Sequence, residues 1–182
     1  FRGWFTPRSY DLTGLAFEDA VGNQRYPLGE DNPYWTMKHN RYNDEINRLI
    51  GNIGLNFKLN SWLQADYKIG TDVYSVFRHG YDQIGARGGA NTSANGIGGV
   101  RESRNNYRSL NSNGFFTANK RIQNNWNLTA IVGTEFQQIY SDAAQLDGKG
   151  IIVRDFEQLS NTTTFSPAPS SSTFKTRLFG LY

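Results

Sequence analysis

The sequence predicts an all-β fold, with antiparallel strands forming part of a transmembrane outer-membrane β-barrel. Three observations predict it. Long segments alternate apolar and polar residues with period two, their charges fall on one side of the alternation, and the connections between them are short and long in turn.

Composition sets the frame. The chain has 182 residues, 37% hydrophobic and 14% aromatic, with 19 glycines and no cysteine. Disulfide and thiolate-metal chemistry are therefore closed. No run approaches the roughly 18 apolar residues of a membrane-spanning helix. A barrel strand needs no such run, because lipid-facing and lumen-facing side chains alternate along it. The net charge of +3 comes from 19 basic and 16 acidic residues scattered along the chain, and no basic block marks a nucleic-acid partner. The chain opens at Phe1 without a leader and stops inside a strand pattern, so a fragment is expected.

Taken in order, residues 1–46 read as an outer loop. In 47–60 the odd positions are Leu49, Gly51, Ile53, Leu55, Phe57 and Leu59, opposite Arg48, Asn52, Asn56 and Lys58. In 63–77 the odd face is Leu63, Ala65, Tyr67, Ile69, Thr71, Val73, Ser75 and Phe77, opposite Gln64, Asp66, Lys68 and Asp72. In 126–140 the apolar face is Trp126, Leu128, Ala130, Val132, Phe136 and Tyr140, opposite Asn127, Thr129, Glu135 and Gln137. The charges of these three strands are Arg48, Lys58, Asp66, Lys68, Asp72 and Glu135, all opposite the apolar side, as a pleat with one oily face requires. They are the candidate lumen-facing or plug-facing residues, with Asp66 and Asp72 expected to pair with Lys68, Arg48 or a plug. Two patterns are weaker. In 104–119 Leu110, Phe116 and Ala118 share a side, but Tyr107 and Phe115 blur it. In 173–182 Phe174, Leu178 and Tyr182 lie opposite Lys175 and Arg177.

A tight turn near 60–62 and another at 119–125 contrast with two long outer loops, 79–103 and 141–172. The first of these holds seven glycines and the second ends in a Ser/Thr/Pro-rich run from Ser160. Tight periplasmic turns with extended outer loops are the wiring of outer-membrane barrels. The strands at 47, 104 and 173 then run inward, those at 63 and 126 outward.

A soluble antiparallel sandwich also alternates. Strand length separates the two, since soluble strands cluster near 5–6 residues. Fourteen residues at about 3.3 Å each, tilted near 40°, rise roughly 35 Å against an apolar band of about 25 Å. Phe57 and Trp126 at the turn end, with Phe77 and Tyr140 at the loop end, suit an interfacial girdle. About five strands do not close a barrel, and an open edge in lipid costs several kcal/mol per unpaired backbone group, so further polypeptide is expected to complete it.

The run Asp31-Asn32-Pro33-Tyr34-Trp35, followed by Arg48-Leu49-Ile50-Gly51-Asn52, Trp62-Leu63 and Gly70-Thr71-Asp72-Val73-Tyr74, resembles the SusC/RagA family of TonB-dependent outer-membrane transporters of Bacteroidetes. Tyr10-Asp11-Leu12 and Leu178-Phe179-Gly180 fit the same family. The resemblance covers nearly the whole chain and fits a mid-barrel segment. It implies a 22-stranded barrel filled by an N-terminal plug, a SusD-like surface lipoprotein over the outer loops, and energy delivered through TonB. It further implies nutrient uptake, of oligosaccharide or peptide, in contact with the lipid bilayer and lipopolysaccharide. No plug, TonB box or carboxypeptidase-like extension falls within these residues.

Within the Asn-Pro-Tyr-Trp element, Pro33 fixes its own φ and biases Asn32 toward an extended conformation. Tyr34 and Trp35 read as an aromatic anchor of an outer loop, or as a stacking platform for a sugar or peptide. No catalytic, cofactor or metal site is expected. His39 and His79 stand forty residues apart without carboxylate spacing. Gly148-Lys149-Gly150 lacks the rest of a phosphate loop and reads as a turn. Gly96-Ile97-Gly98-Gly99 has Arg101 where a dinucleotide fingerprint needs glycine. The sequons at Asn91, Asn127 and Asn161 carry no expectation of glycosylation in a bacterium. Two further readings compete with transport: a family-related barrel serving as a structural subunit of an envelope complex, and a soluble secreted glycan-binding sandwich.

Overall fold

A computed structural model of the chain describes residues 6–27, 29–88, 96–123 and 126–182. A short helix α1 (Pro33–His39) precedes β1 (Arg41–Lys58), β2 (Leu63–Asp82), β3 (Gly99–Gln123) and β4 (Trp126–Ile151). A 3-10 turn (Leu159–Asn161) then leads to β5 (Thr162–Phe165) and β6 (Ser170–Leu181). They form one open sheet in the order β1-β2-β3-β4-β5, with β6 also on β4. Among the described residues no helix is long and apolar enough to cross a membrane, which bears only on helical spanning.

The strands outrun the sequence pattern. β3 and β4 have 25 and 26 residues, reaching into 99–103 and 141–151, where long loops were expected. Backbone pairing continues there although alternation has faded. Gly148-Lys149-Gly150 is likewise strand rather than turn, since Gly148 and Lys149 stand opposite Phe165 and Thr164 of β5. The first hairpin is as expected. The Asn60 carboxamide accepts from the Trp62 and Leu63 amides at 2.9 Å each, an Asx-type turn. Of the second turn, residues 124 and 125 lie outside the described residues.

The chain divides into two compact units. Unit 1 comprises Phe1–Glu45, Phe77–Arg104 and Ala144–Ser171. Tyr81, Val100 and Ile151 form its core, with Ile84 and Leu159 packed alongside. Gly98 must be glycine there: its φ is +72°, and a Cβ would sit 2.7 Å from Ile151 and 2.8 Å from the Asp82 carbonyl oxygen. Helix α1 was not foreseen in the loop expected over 1–46. Asn32 is extended (ψ 124°) as Pro33 dictates, but it is an N-cap, its carboxamide accepting from the Tyr34 amide at 3.0 Å. Pro33 is the first helical residue, where its missing N–H costs nothing, and Lys38 and His39 complement the C-terminal dipole.

Unit 2 comprises Ile46–Val76, Asn105–Ala143 and Ser172–Tyr182. It is a single layer. Every buried apolar residue among the described ones belongs to unit 1, whereas Leu49, Ile53, Val132 and Phe179 of unit 2 are 66–68% exposed. No second sheet or helix covers them among the described residues.

Candidate functional site: a sheet with one apolar and one charged face

Contacts within unit 2 fix which residues share a side. On β1 and β2, Arg48 Nη2 meets Asp72 Oδ2 at 2.7 Å and Nε donates to Oδ1 at 3.0 Å. Asn56 Nδ2 donates to Asp66 Oδ1 at 2.5 Å, and a Cβ on Gly70 would touch Asn52. The even positions of both strands therefore share one face. From β2 to β3 the Tyr74 and Tyr107 rings stack at 4.8 Å and 15° on that face, while the Ser112 hydroxyl reaches the Tyr67 hydroxyl at 3.0 Å on the other. From β3 to β4 Thr129 Oγ1 donates to Asn119 Oδ1 at 2.7 Å on the polar face. This resolves the blurred alternation of 104–119: Tyr107 and Phe115 belong to the polar side, and Leu110 and Phe116 to the apolar side.

β6 keeps Phe174, Leu178 and Tyr182 opposite Lys175 and Arg177 and fixes a phase that the sequence pattern left open. Gly133 and Tyr182 exchange both backbone hydrogen bonds, at 2.8 and 3.1 Å, so their side chains share a face. A Cβ on Gly180 would approach Glu135, and Arg177 Nε donates to Gln138 Oε1 at 2.9 Å. Phe174, Leu178 and Tyr182 therefore stand on the face of Glu135, not with Val132 and Phe136. Phe179 and Leu181 continue the apolar side instead. A ten-residue pattern gave the alternation of β6 but not its phase.

Of the six charged candidates, Arg48 and Asp72 come together, and the Arg48 guanidinium also lies 5.7 Å over Tyr74. Arg48, Tyr74 and Tyr107 thus form a ladder across three strands. Asp66 accepts from Asn56 and, at 2.9 Å, from Gln64 Nε2, and makes no ion pair with Lys68 or Arg48 among the described residues. Lys58, Lys68 and Glu135 are exposed on the same face, without an ion-pair partner among the described residues. This face is not wholly polar. Around Gly133 it carries Phe115 and Tyr182, with Ile131 and Leu178 exposed nearby.

The other candidates lie in unit 1. Trp35 is fully buried, its Nε1 donating to the Gly22 carbonyl at 2.9 Å, so neither ring face is open to a ligand. Tyr34 is 40% exposed beside Phe17. Around them Gln24 donates to Asp31 at 2.7 Å and to the Gly85 carbonyl at 2.6 Å, and Asp31 accepts from the Arg87 and Gly88 amides. These bonds tie residues 22–35 to 85–88. His39 Nε2 lies 2.6 Å from Glu18 Oε2, with Lys38 on the other Glu18 oxygen. The hydrogen bond from His39, then that from Lys38, holds the Glu18 carboxyl below its ordinary range. His79 pairs with Glu102 at 3.6 Å, and no cluster of three metal-ligating side chains occurs among the described residues. Asn161 is buried, with both amide hydrogens donated to the Val153 and Phe156 carbonyls. Asn127 lies in β4, and Asn91 falls outside the described residues.

Comparison with solved structures supplies a fold likeness. A chain of the RagAB peptide transporter superposes with TM-score 0.70 at 16% identity, covering 83% of this chain and 16% of that one. The RagAB peptide importer in the open-open state gives 0.72 at 16% identity, over 93% and 18% of the two chains. Its closed-closed state gives 0.71 at 17%, over 92% and 18%. The fold is shared. This chain spans about one-sixth of those transporter chains. No family model matches the sequence, and no curated protein matches it.

Proposed function

We propose that this chain is a stretch of the wall of a TonB-dependent outer-membrane barrel that imports peptides as nutrients, working with a SusD-like surface lipoprotein. The observation that carries the reading is the single-layer sheet of unit 2. One face is apolar and uncovered, suited to hydrocarbon, and the other holds Arg48, Asp66, Lys68, Asp72 and Glu135, suited to a watery lumen. The likeness to RagAB chains favours peptide over oligosaccharide as cargo. The apolar spot of Phe115, Ile131, Leu178 and Tyr182 on the inner face offers a plug domain a place to pack. The chain is assigned no catalytic step.

The test uses the full-length protein carrying this chain, expressed in a host lacking its own peptide importers, with uptake of radiolabelled mixed peptides measured. Uptake that needs both a functional TonB and the partner lipoprotein is expected. Equal uptake in a strain without TonB would overturn the active-import reading.

A further inference from the structure

On the apolar face of unit 2 the residues of β3, β4 and β6 fall into cross-strand rows. Phe136 and Phe179 share one row, Gly114, Thr134 and Leu181 the next, then Phe116 and Val132, down to Trp126. Trp126 to Phe136 is ten residues, about 33 Å along the strand and roughly 25 Å in height at 40° tilt, the thickness of the apolar band. Beyond Phe136, toward the long connections, the rows change character. Arg177 stands opposite Gln138, and the Arg108 guanidinium lies 4.8 Å over the Tyr140 ring. Two residues further in register, Lys175 stands opposite Tyr140. Three cations thus collect where head groups begin, against one carboxylate, Asp142, which accepts from Asn106 Nδ2 at 2.7 Å. None of the three has a carboxylate partner among the described residues.

Two hollows on this face match that division. The upper one, about 520 Å³, is lined by Asn47, Ser75, Asn106, Arg108 and Asp142 above Leu49 and Val73. The lower one, about 340 Å³, lies within the apolar rows where Gly114 has no side chain, between Phe57, Tyr67, Phe116 and Leu181. Arg108 and Gly114 are six residues apart, roughly 20 Å along the strand, a span one lipid bridges from its phosphate to the middle of an acyl chain. A strand pattern alone needs neither the cations nor the missing side chain.

We propose that this surface binds one phosphorylated saccharide lipid of the loop-side leaflet. Arg108, Lys175 and Arg177 hold its phosphate, the amide and hydroxyl groups of the upper hollow meet its sugar, and an acyl chain lies in the groove over Gly114. The site rests on the membrane-spanning reading of the sheet but not on what the barrel carries.

The full-length protein carrying this chain, reconstituted in phosphatidylcholine nanodiscs containing lipid A, is released and its retained lipid counted by native mass spectrometry. Retained lipid A is expected to fall roughly fivefold with Arg108→Gln and on the order of a hundredfold when Lys175→Gln and Arg177→Gln are added. Gly114→Leu, which fills the groove without touching charge, should also lower it. Lys120→Gln, on the same face at the opposite end of the apolar rows, should not, and inorganic phosphate should not compete. Lipid A held as well by the triple variant as by the parent overturns the site. Equal retention of phosphatidylglycerol overturns the saccharide head group. Arg108 is exposed, so the single Arg108→Gln variant keeps the test open if the triple variant fails to assemble. A parent protein that stays soluble without detergent sinks the membrane reading itself, whereas one that inserts but holds no lipid A sinks only this site.

Discussion

Leu55 and Asn56 are neighbours in β1 on opposite faces, and one arginine placed at each in turn separates hydrocarbon from water. The apolar positions of β1 and of Leu59 just after it run from Leu49 to Leu59, ten residues, or about 25 Å of height at a 40° tilt. Leu55 is one residue from their midpoint, roughly 2–3 Å from the bilayer centre by the same geometry. Arginine on the lipid face at that depth costs about 2–4 kcal/mol. Asn56→Arg instead places a cation beside Asp66, whose Oδ1 already accepts from Asn56 Nδ2 at 2.5 Å, so its cost should stay below about 1 kcal/mol. The assay is urea unfolding of the full-length protein in lipid vesicles, read by heat-modifiable electrophoretic mobility. Leu55→Arg should lower stability by at least about 2 kcal/mol more than Asn56→Arg. Equal losses, or a greater loss at Asn56, would refute the assignment of faces on which the transport reading and the lipid site both stand.

Three further outcomes are expected. Gly133→Ala would drive a Cβ to 2.6 Å from the Tyr182 ring and 2.8 Å from Phe115 Cβ, so a loss of about 1–3 kcal/mol should appear in the same unfolding assay. Gly51→Ala, with nothing within 4 Å, should be near neutral there. Trp35→Ala empties a fully buried site and should cost about 3–5 kcal/mol, seen as proteolysis within residues 6–40. Tyr34→Ala should leave that segment resistant. Glu18 is held below its ordinary value by His39 and then Lys38, so it stabilises the folded form above that value and ceases to as pH falls through its folded one. The protection factors of the α1 amides, each corrected for the intrinsic exchange rate at its pH, should therefore fall on acidification below about pH 4.5, and Glu18→Gln should flatten the dependence. An unchanged pH profile in the variant would remove Glu18 as the cause.

Much of the architecture was legible in local pattern. The strands begun by Leu63 and Trp126 start where alternation starts, and the Asn60 turn follows from a side chain that caps its own backbone. Helix α1 was hidden because its seven residues are too few for a helical period, although Asn32 and Pro33 are a serviceable N-terminal signal. The extensions of β3 and β4 were hidden because pairing there rests on backbone groups, and the side chains around Asp147 and Ile151 serve the unit 1 core rather than two contrasting solvents. The Arg48–Tyr74–Tyr107 ladder was out of reach because its members lie up to 59 positions apart, the separation of Arg48 from Tyr107.

The sequence by itself determined that β1, β2 and β4 each have an oily and a charged side, because the pleat turns a period of two directly into two faces. Only the tertiary structure decided how those faces join across strands. Register is set by hydrogen bonds between segments distant in the chain, and a slip of one residue sends every side chain to the other solvent. That is why Tyr182 proved to stand with Glu135, and why Arg108, Tyr140 and Lys175 form a row that no stretch of the chain announces.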